Sequence, residues 1–319
     1  MNKNEVEISV EKEKEVLSEK QLSAILESHH RWVKSEGREG EKAVLGNYDL
    51  SGLHLAGLDL SYVDLHGADL HGMDLTGTTF SHANLTGACL KNAELSFSTM
   101  RGTRLSHADF SEANLSHTNF FGSFCDYANF HGAQMTEANF LYANLHNADL
   151  TGVDAVSASF SNTMLVAANM SGSKFLACDF TDADASLADL SSCNANESTF
   201  IGTKLHGANL SNSTFCFANM KRADIRETNQ EGTLMYNTQI QQLKTDETIF
   251  SLIVHGQGSD VSAVFNADRD QISFLPDTRH KKPVSLKVFQ AYAKDHPRYA
   301  VLAQSFQSLS HSFRKKKSR

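Results

Sequence analysis

The sequence predicts an all-β solenoid, and three observations carry that prediction. From residue 45 to residue 240, positions divisible by five are large and apolar with few exceptions. They run Leu45, Leu50, Leu55, Leu60, Leu65, Leu70, Leu75, Phe80 and on to Met235 and Ile240. Two residues before each stands a mostly small one, as at Ala68, Ala83, Ala88, Ala93, Ala108, Ala113 and Ala128, and Asp or Asn comes between them in more than half of the units. Glycine recurs two residues after the apolar position, at Gly52, Gly57, Gly67, Gly72, Gly77, Gly87, Gly122, Gly132 and Gly152. A period of five is neither the helical period of about 3.6 nor the strand period of about 2. Two inward positions one strand step apart, then a longer step, describe short extended pieces joined by tight corners. Glycine bends most easily there, and Asp or Asn bonds nearby backbone. A chain that keeps turning the same way stacks coil on coil, each covering the apolar interior of the next.

Phenylalanine gives the coil length. It fills central positions 80, 110, 120, 130, 140, 160, 175, 180, 200 and 215, and six of these (Phe80, Phe120, Phe140, Phe160, Phe180 and Phe200) fall in one column when sorted by twenty. That favours four units per coil. Volume agrees: the coil holding Phe200 also holds Ala185 and Ala195, and Ala155 precedes Phe160, as a close-packed interior requires.

The unit, read in Ala68-Asp69-Leu70-His71-Gly72 and Ala113-Asn114-Leu115-Ser116-His117, closely resembles the pentapeptide-repeat family. The resemblance covers residues 43–240 and implies a right-handed quadrilateral β-helix with about 20 residues per coil. Forty units on four faces give ten coils, a rod roughly 45–50 Å long at the strand spacing.

The ends of such a stack are open sheet edges that need cover. Residues 1–18 read as a disordered charged N-terminus, and residues 19–42 as a capping helix and linker. Ser18 with Gln21 forms a capping box, and Leu22, Ile25, Leu26, His29 and Val33 recur at helical spacing beside Trp32. Gly37 ends a helix of about 19–35. The stretch from Ile25 to Trp32, leading into Gly40-Glu41-Lys42-Ala43, resembles the leader of many bacterial arrays of this family. Large residues then occupy small slots at Tyr48, Leu53, Leu58, Val63 and Met73, consistent with wider first coils or with packing against the helix. Residues 241–319 leave the frame and read as an α+β cap. Strands fall at 248–254 and 261–265, with 271–275 returning on the latter as a hairpin. A helix follows at about 285–294 after Pro283, then another from Pro297 into the basic run Arg314-Lys315-Lys316-Lys317-Ser318-Arg319. Gln230 in a central slot marks loosening of the array.

The chain has 319 residues and a formal charge of −8. Residues 41–240 hold nine Lys and Arg against 21 Asp and Glu, a balance of −12, whereas residues 241–319 carry +6. Met1 to Lys20 is charged and lacks the apolar core of a signal peptide, and no stretch reaches the about 18–20 apolar residues of a membrane span. Cys125 sits in a central slot, Cys178 and Cys193 in small inward slots, and Cys89 and Cys216 face outward, with no Cys-x-x-Cys pair. A reducing, cytoplasmic setting is expected, with export by a specialised system left open.

No phosphate loop, nucleophile elbow or His-Glu-x-x-His pattern is present, so neither an enzyme nor a cofactor is predicted. His66, His146 and His206 share an outward column but stand four and three coils apart, roughly 14–19 Å, too far for a shared metal. They read as solvated, as do His29 and His30. Two outward features depart from neutrality. Asp49, Asp69, Asp109, Asp149 and Asp189 form an acidic ladder on one face. Phe121, Phe124, Leu141, Tyr142, Val156, Val166 and Leu176 place apolar side chains outward in the middle coils, where Ser, Thr, Gly and His prevail elsewhere. Such a patch marks a partner site. The reading is a non-enzymatic interaction scaffold presenting a rigid rod to a protein partner, with a homodimer also open. Two alternatives remain. Some family members are thought to occupy the DNA-binding saddle of type II topoisomerases such as gyrase, which would make the ladder a DNA mimic. The other alternative is a secreted bacterial effector.

Overall fold

The computed structural model describes residues 15–235, 238–240, 242–245, 249–256, 259–266, 271–275 and 284–285. Parallel bridges join the residue before nearly every central position to its equivalent twenty residues on, from Val44↔Asp64 to Asp224↔Lys244, His54 being an exception. Four units therefore close one coil, and the coils stack as a quadrilateral β-helix. The bridges continue one unit past residue 240, where Leu243 is buried.

Residues 64–68 show why five positions suffice. The amide of Asp64 donates to Ala43 O below (2.9 Å), and that of Leu65 donates to Asn84 O above (2.7 Å). His66 N donates to the Asp64 carboxylate (3.0 Å). Gly67 N reaches Thr86 O above (3.0 Å), and Ala68 N closes the corner on Leu65 O (3.0 Å). Every amide of the unit has a partner, as a backbone buried between coils requires. The Asp or Asn of the unit thus satisfies the one amide that the ladder leaves over.

The corners differ from expectation in one respect. From Gly57 to Gly232 every second corner residue has a left-handed backbone, with φ between 54° and 71°, and most are not glycine: Tyr62, His82, Phe97 and Leu187 are among them. Gly52 is not in that region. The conformation costs an L-residue about 1 kcal/mol or more, and it aims each corner amide at the carbonyl of the coil above. The ladder bond offsets the strain, so the corner accepts many side chains.

All ten central phenylalanines are fully buried. Phe120, Phe140, Phe160, Phe180 and Phe200 form one continuous column of parallel rings 4.4–5.2 Å apart, while Met100 separates Phe80 from it. Neighbouring walls meet edge to face, as at Phe110–Phe120 and Phe160–Phe175. Most Ser, Thr and Cys in the small slot donate to the carbonyl 23 residues back, Ser98 and Ser123 excepted: Thr103 Oγ1 to Phe80 O (2.7 Å), Ser173 Oγ to Leu150 O (2.6 Å), Cys178 Sγ to Ala155 O (2.7 Å). These polar side chains are therefore compatible with a dry interior.

Helix α1 (Glu19–Lys34) closes the first coil. Its capping box forms as expected, with Ser18 and Gln21 reciprocally bonded. Its C-terminus is a Schellman turn in which Glu36 (φ 55°) and then Gly37 (φ 85°) both have positive φ: Gly37 N donates to Trp32 O and Glu36 N to Val33 O. Leu22, Leu26 and His29 are buried on the coil. Leu53, Val63 and Met73 are buried too, and Ile25, Tyr48 and Leu58 pack against the same core.

Two expectations need correction here. His29 is not solvated: it is 1% exposed, with Nε2 2.7 Å from Ser61 O and Nδ1 accepting from the Ala43 amide (3.2 Å). Because Ala43 N–H can only donate, Nε2 carries the proton. Nor are residues 15–18 unstructured. Strand β1 (Glu15–Val16) pairs in parallel with β2 (Tyr48–Asp49), and Leu17 is buried, so the chain adds a partial rung below the first coil on that face. Residues 1–14 lie outside the described residues.

Beyond the array stands an antiparallel sheet of four strands in sequence order: β3 (Ile249–Gly256), β4 (Ser259–Asn266), β5 (Gln271–Leu275) and β6 (Val284–Ser285). The hairpin between β4 and β5 matches the sequence reading, with Phe265 opposite Ile272. Ser285 is a strand residue paired with Gln271 rather than the start of a helix; the remainder of that helix and the basic run lie outside the described residues.

Candidate functional site

Only the two corner residues and the bridging residue of each unit face outward, so any site is built from those columns. One corner carries Ser81-His82, Arg101-Gly102, Phe121-Gly122 and Leu141-Tyr142 in successive coils, and the face beside it carries Asn84, Arg104, Phe124, Asn144 and Met164. Phe124, Tyr142 and Met164 are 50%, 57% and 50% exposed, and Phe121 and Leu141 are half-buried. Phe121 meets Tyr142 edge to face at 5.8 Å, and the Arg101 guanidinium lies 4.9 Å from the Phe121 ring centre. Below them the Tyr62 and His82 rings stack at 5.1 Å. Gly102 and Gly122 interrupt this ridge of corner side chains. The interruption leaves an open notch of about 400 Å³ lined by Ser81, His82, Arg101, Gly102, Phe121 and Gly122.

Four of the seven apolar residues singled out in the sequence thus come together: Phe121, Phe124, Leu141 and Tyr142. Val156 and Leu176 stack on a second corner and Val166 lies on a third, all half-buried. Sequence reasoning missed Met164, which extends the cluster from a slot usually held by Asp or Asn. It also missed aromatic–histidine stacks one coil apart on other corners, Phe97–His117 at 4.6 Å and His107–Tyr127 at 5.1 Å. Each is legible as an aromatic and a histidine twenty residues apart in the second corner slot.

The acidic ladder occupies one face, where its members double as turn ligands. Asp49, Asp109, Asp149 and Asp189 accept the amides of Ser51, Ser111, Thr151 and Ser191 at 2.8–3.0 Å, and Asp69 accepts that of His71 at 3.2 Å together with its ring Nδ1 at 2.7 Å. Cys89, Asn129 and Asn169 fill the coils between. Asn129 and Asn209 donate to Asp109 and Asp189 at 2.9 and 3.1 Å, so amide side chains interleave the charges. His66, His146 and His206 share another corner column, in coils four and three apart.

Reactive thiols are absent from the interior. Burial pushes Cys125, Cys178 and Cys193 up to about 12, which keeps them protonated and unreactive.

The pentapeptide repeats family model matches in eight copies between residues 42 and 229, over more than half of the chain. The chain belongs to the pentapeptide repeat family, and its stack is the right-handed quadrilateral β-helix of that family. Among solved structures it is similar to HetL, a pentapeptide repeat protein involved in heterocyst differentiation regulation from the cyanobacterium Nostoc sp. strain PCC 7120. That match has 22% identity, covers 67% of this chain and 92% of HetL, and has a TM-score of 0.55. Full-length QnrB1, a plasmid-mediated fluoroquinolone resistance protein, matches at 18% identity over 56% of this chain and 91% of its own, with a TM-score of 0.34. At these identities the likeness to HetL concerns the fold. A comparison with curated protein sequences returned no significant match.

Proposed function

We propose that the chain is a non-enzymatic scaffold whose rod presents the corner of Phe121, Phe124, Leu141, Tyr142 and Met164 to a protein partner. The observation that carries this reading is the clustering of large apolar side chains over consecutive coils on one corner and its adjoining face, in outward slots that are mostly small or polar elsewhere. The fold does not need them there: the corner amides of Phe121, Leu141 and Tyr142 bond independently of their own side chains, and Phe124 and Met164 stand where Asp or Asn would accept the first-corner amide. An exposed cluster of this kind is the usual mark of a protein contact. The test is affinity capture followed by direct binding with the double variant Phe121→Asp, Leu141→Asp. Partners bound by the wild type should be lost from the variant while its circular dichroism is unchanged; unchanged partners would reject the face.

A second reading makes the protein a topoisomerase modulator acting as a DNA mimic. Its support is the regular step from Asp109 to Asp149 to Asp189, two coils or about 10 Å each, on a stretch carrying −12. Turn chemistry accounts for the same carboxylates, so this reading stands second. Purified protein titrated into a gyrase supercoiling assay decides it: no effect at saturating concentration removes it.

A further inference from the structure

The proposed partner face carries an unbalanced pair of positive charges, and this specifies what it binds. Three other cations of the array are neutralised locally: Lys174 by Asp154, Lys204 by Asp184 and Arg226 by Asp224. Arg101 and Arg104 are not. Among the described residues neither has a carboxylate partner or a side-chain hydrogen bond, although the surrounding array carries −12. Their column neighbours are uncharged: Ser81 and Phe121 for Arg101, Asn84 and Phe124 for Arg104. The Phe121 ring holds the Arg101 guanidinium by its face, which leaves the N–H edge free for a bidentate carboxylate.

Beside these charges lies the notch between the His82 and Tyr142 positions. Its floor is Gly102 and Gly122; the His82 ring lies over Gly102, where an added Cβ would meet it at 2.7 Å, whereas one at Gly122 would meet nothing within 4 Å. Its volume, about 400 Å³, accommodates one aromatic or large aliphatic side chain. The Phe121 and His82 rings that line it favour an apolar anchor.

Taking the proposed partner face as its basis, we infer that this corner binds an acidic segment of a partner protein, one that sets an Asp or Glu beside an aromatic or large aliphatic anchor. The anchor fills the notch and the carboxylate engages Arg101 and Arg104. The charge of the rod disfavours a nucleic-acid ligand here, and the two arginines disfavour a basic peptide.

A random-peptide phage library selected on the full chain tests this. Enriched peptides should carry Asp or Glu within two residues of Trp, Phe, Tyr or Leu. Synthetic copies should lose affinity by about tenfold or more, read by fluorescence polarisation, on Arg101→Glu plus Arg104→Glu. Copies with Lys in place of the acid should bind that charge-reversed variant. Gly122→Tyr, which fills the notch with a residue type found at other corners, should also abolish binding. Enriched peptides without an acid, an absence of enrichment, or unchanged affinity for the charge-reversed variant would each overturn the inference. So would sedimentation showing a dimer that Arg101→Glu dissociates, since a second copy would then be the occupant. If peptides are lost on Phe121→Asp, Leu141→Asp but not on the arginine changes, the partner face stands and its acidic ligand falls. Loss on neither removes both.

Discussion

At the scale of single residues, each slot of the unit answers one chemical demand. The bridging Asp or Asn takes the first corner amide, and most Ser, Thr and Cys in the small slot return their proton to a carbonyl one coil back. Thr103→Val should therefore cost about 0.5–1.5 kcal/mol, because it keeps the shape but removes one of the two donors to Phe80 O, the other being the Ala83 amide; Thr103→Ser should cost less, both read from urea denaturation midpoints. The cysteines give a second test. Cys89 and Cys216 are half-exposed whereas Cys125, Cys178 and Cys193 are buried with thiols held at about 12. In native protein Ellman's reagent should titrate two thiols rapidly and the other three only after denaturation; five rapid thiols would contradict a sealed interior. The inward slots and the turn role of Asp were legible because both follow from the period. The left-handed corners were not. Tyr62, His82 and Leu187 adopt a conformation glycine advertises and they do not, since a backbone bond to the neighbouring coil outweighs their intrinsic preference.

At the scale of elements, the cap shows where local signals suffice and where they fail. Helix α1 was readable from Ser18 through Gly37 because capping box and apolar stripe are local patterns. Strand β1 was not, since two residues have no period and Glu15 and Val16 are ordered only by pairing with Tyr48 and Asp49. His29 falls between: its helical position was legible, but its bonds to Ala43 and Ser61 span 14 and 32 residues. His29→Phe should detach the helix edge from the first coil at a cost of about 2–4 kcal/mol, because it strands one amide and one carbonyl. An uncovered edge invites pairing between copies, so light scattering of this variant should show association absent from the wild type. Gly40 is the other join. It lies at φ 75°, and a Cβ there would sit 2.1 Å from Ser28 O; Gly40→Ala should give the same phenotype. The candidate site divided similarly. Phe121, Phe124, Leu141 and Tyr142 share a corner and its adjoining face, as their positions modulo twenty imply, whereas the notch depends on two absent side chains and on ring orientations that no period encodes.

Across the whole molecule, stability is spread over many equivalent coils, so its pH dependence reports the repeat rather than one site. At Asp59, Glu94, Asp179 and Asp184, burial pushes the carboxyl upward, but the hydrogen bonds it accepts outweigh this, chiefly from the residue two positions on and, at Asp179, from Ser161. At Asp74 the bond from Thr76 leads, and at Asp224 that from Arg226. All six are held below the ordinary 3.8 of aspartate or 4.5 of glutamate. A carboxylate whose folded value is depressed binds its proton more readily when unfolded. Its contribution is therefore fully present above the ordinary value and is lost as pH falls through the lower, folded one. Hydrogen bonds dominate these shifts, so salt should screen them little. The urea midpoint should hold level from about pH 7 to pH 5 and fall steeply below about pH 4, with nearly the same profile in low and high salt. Asp184→Asn, which retains an acceptor for Ser186 but removes the titrating group, should flatten the acid limb. A midpoint that falls between about pH 6 and 7 would instead assign the sensitivity to histidines. A profile that moves with salt would trace it to the long-range repulsion of the acidic array rather than to the carboxylate–amide bond repeated at its turns.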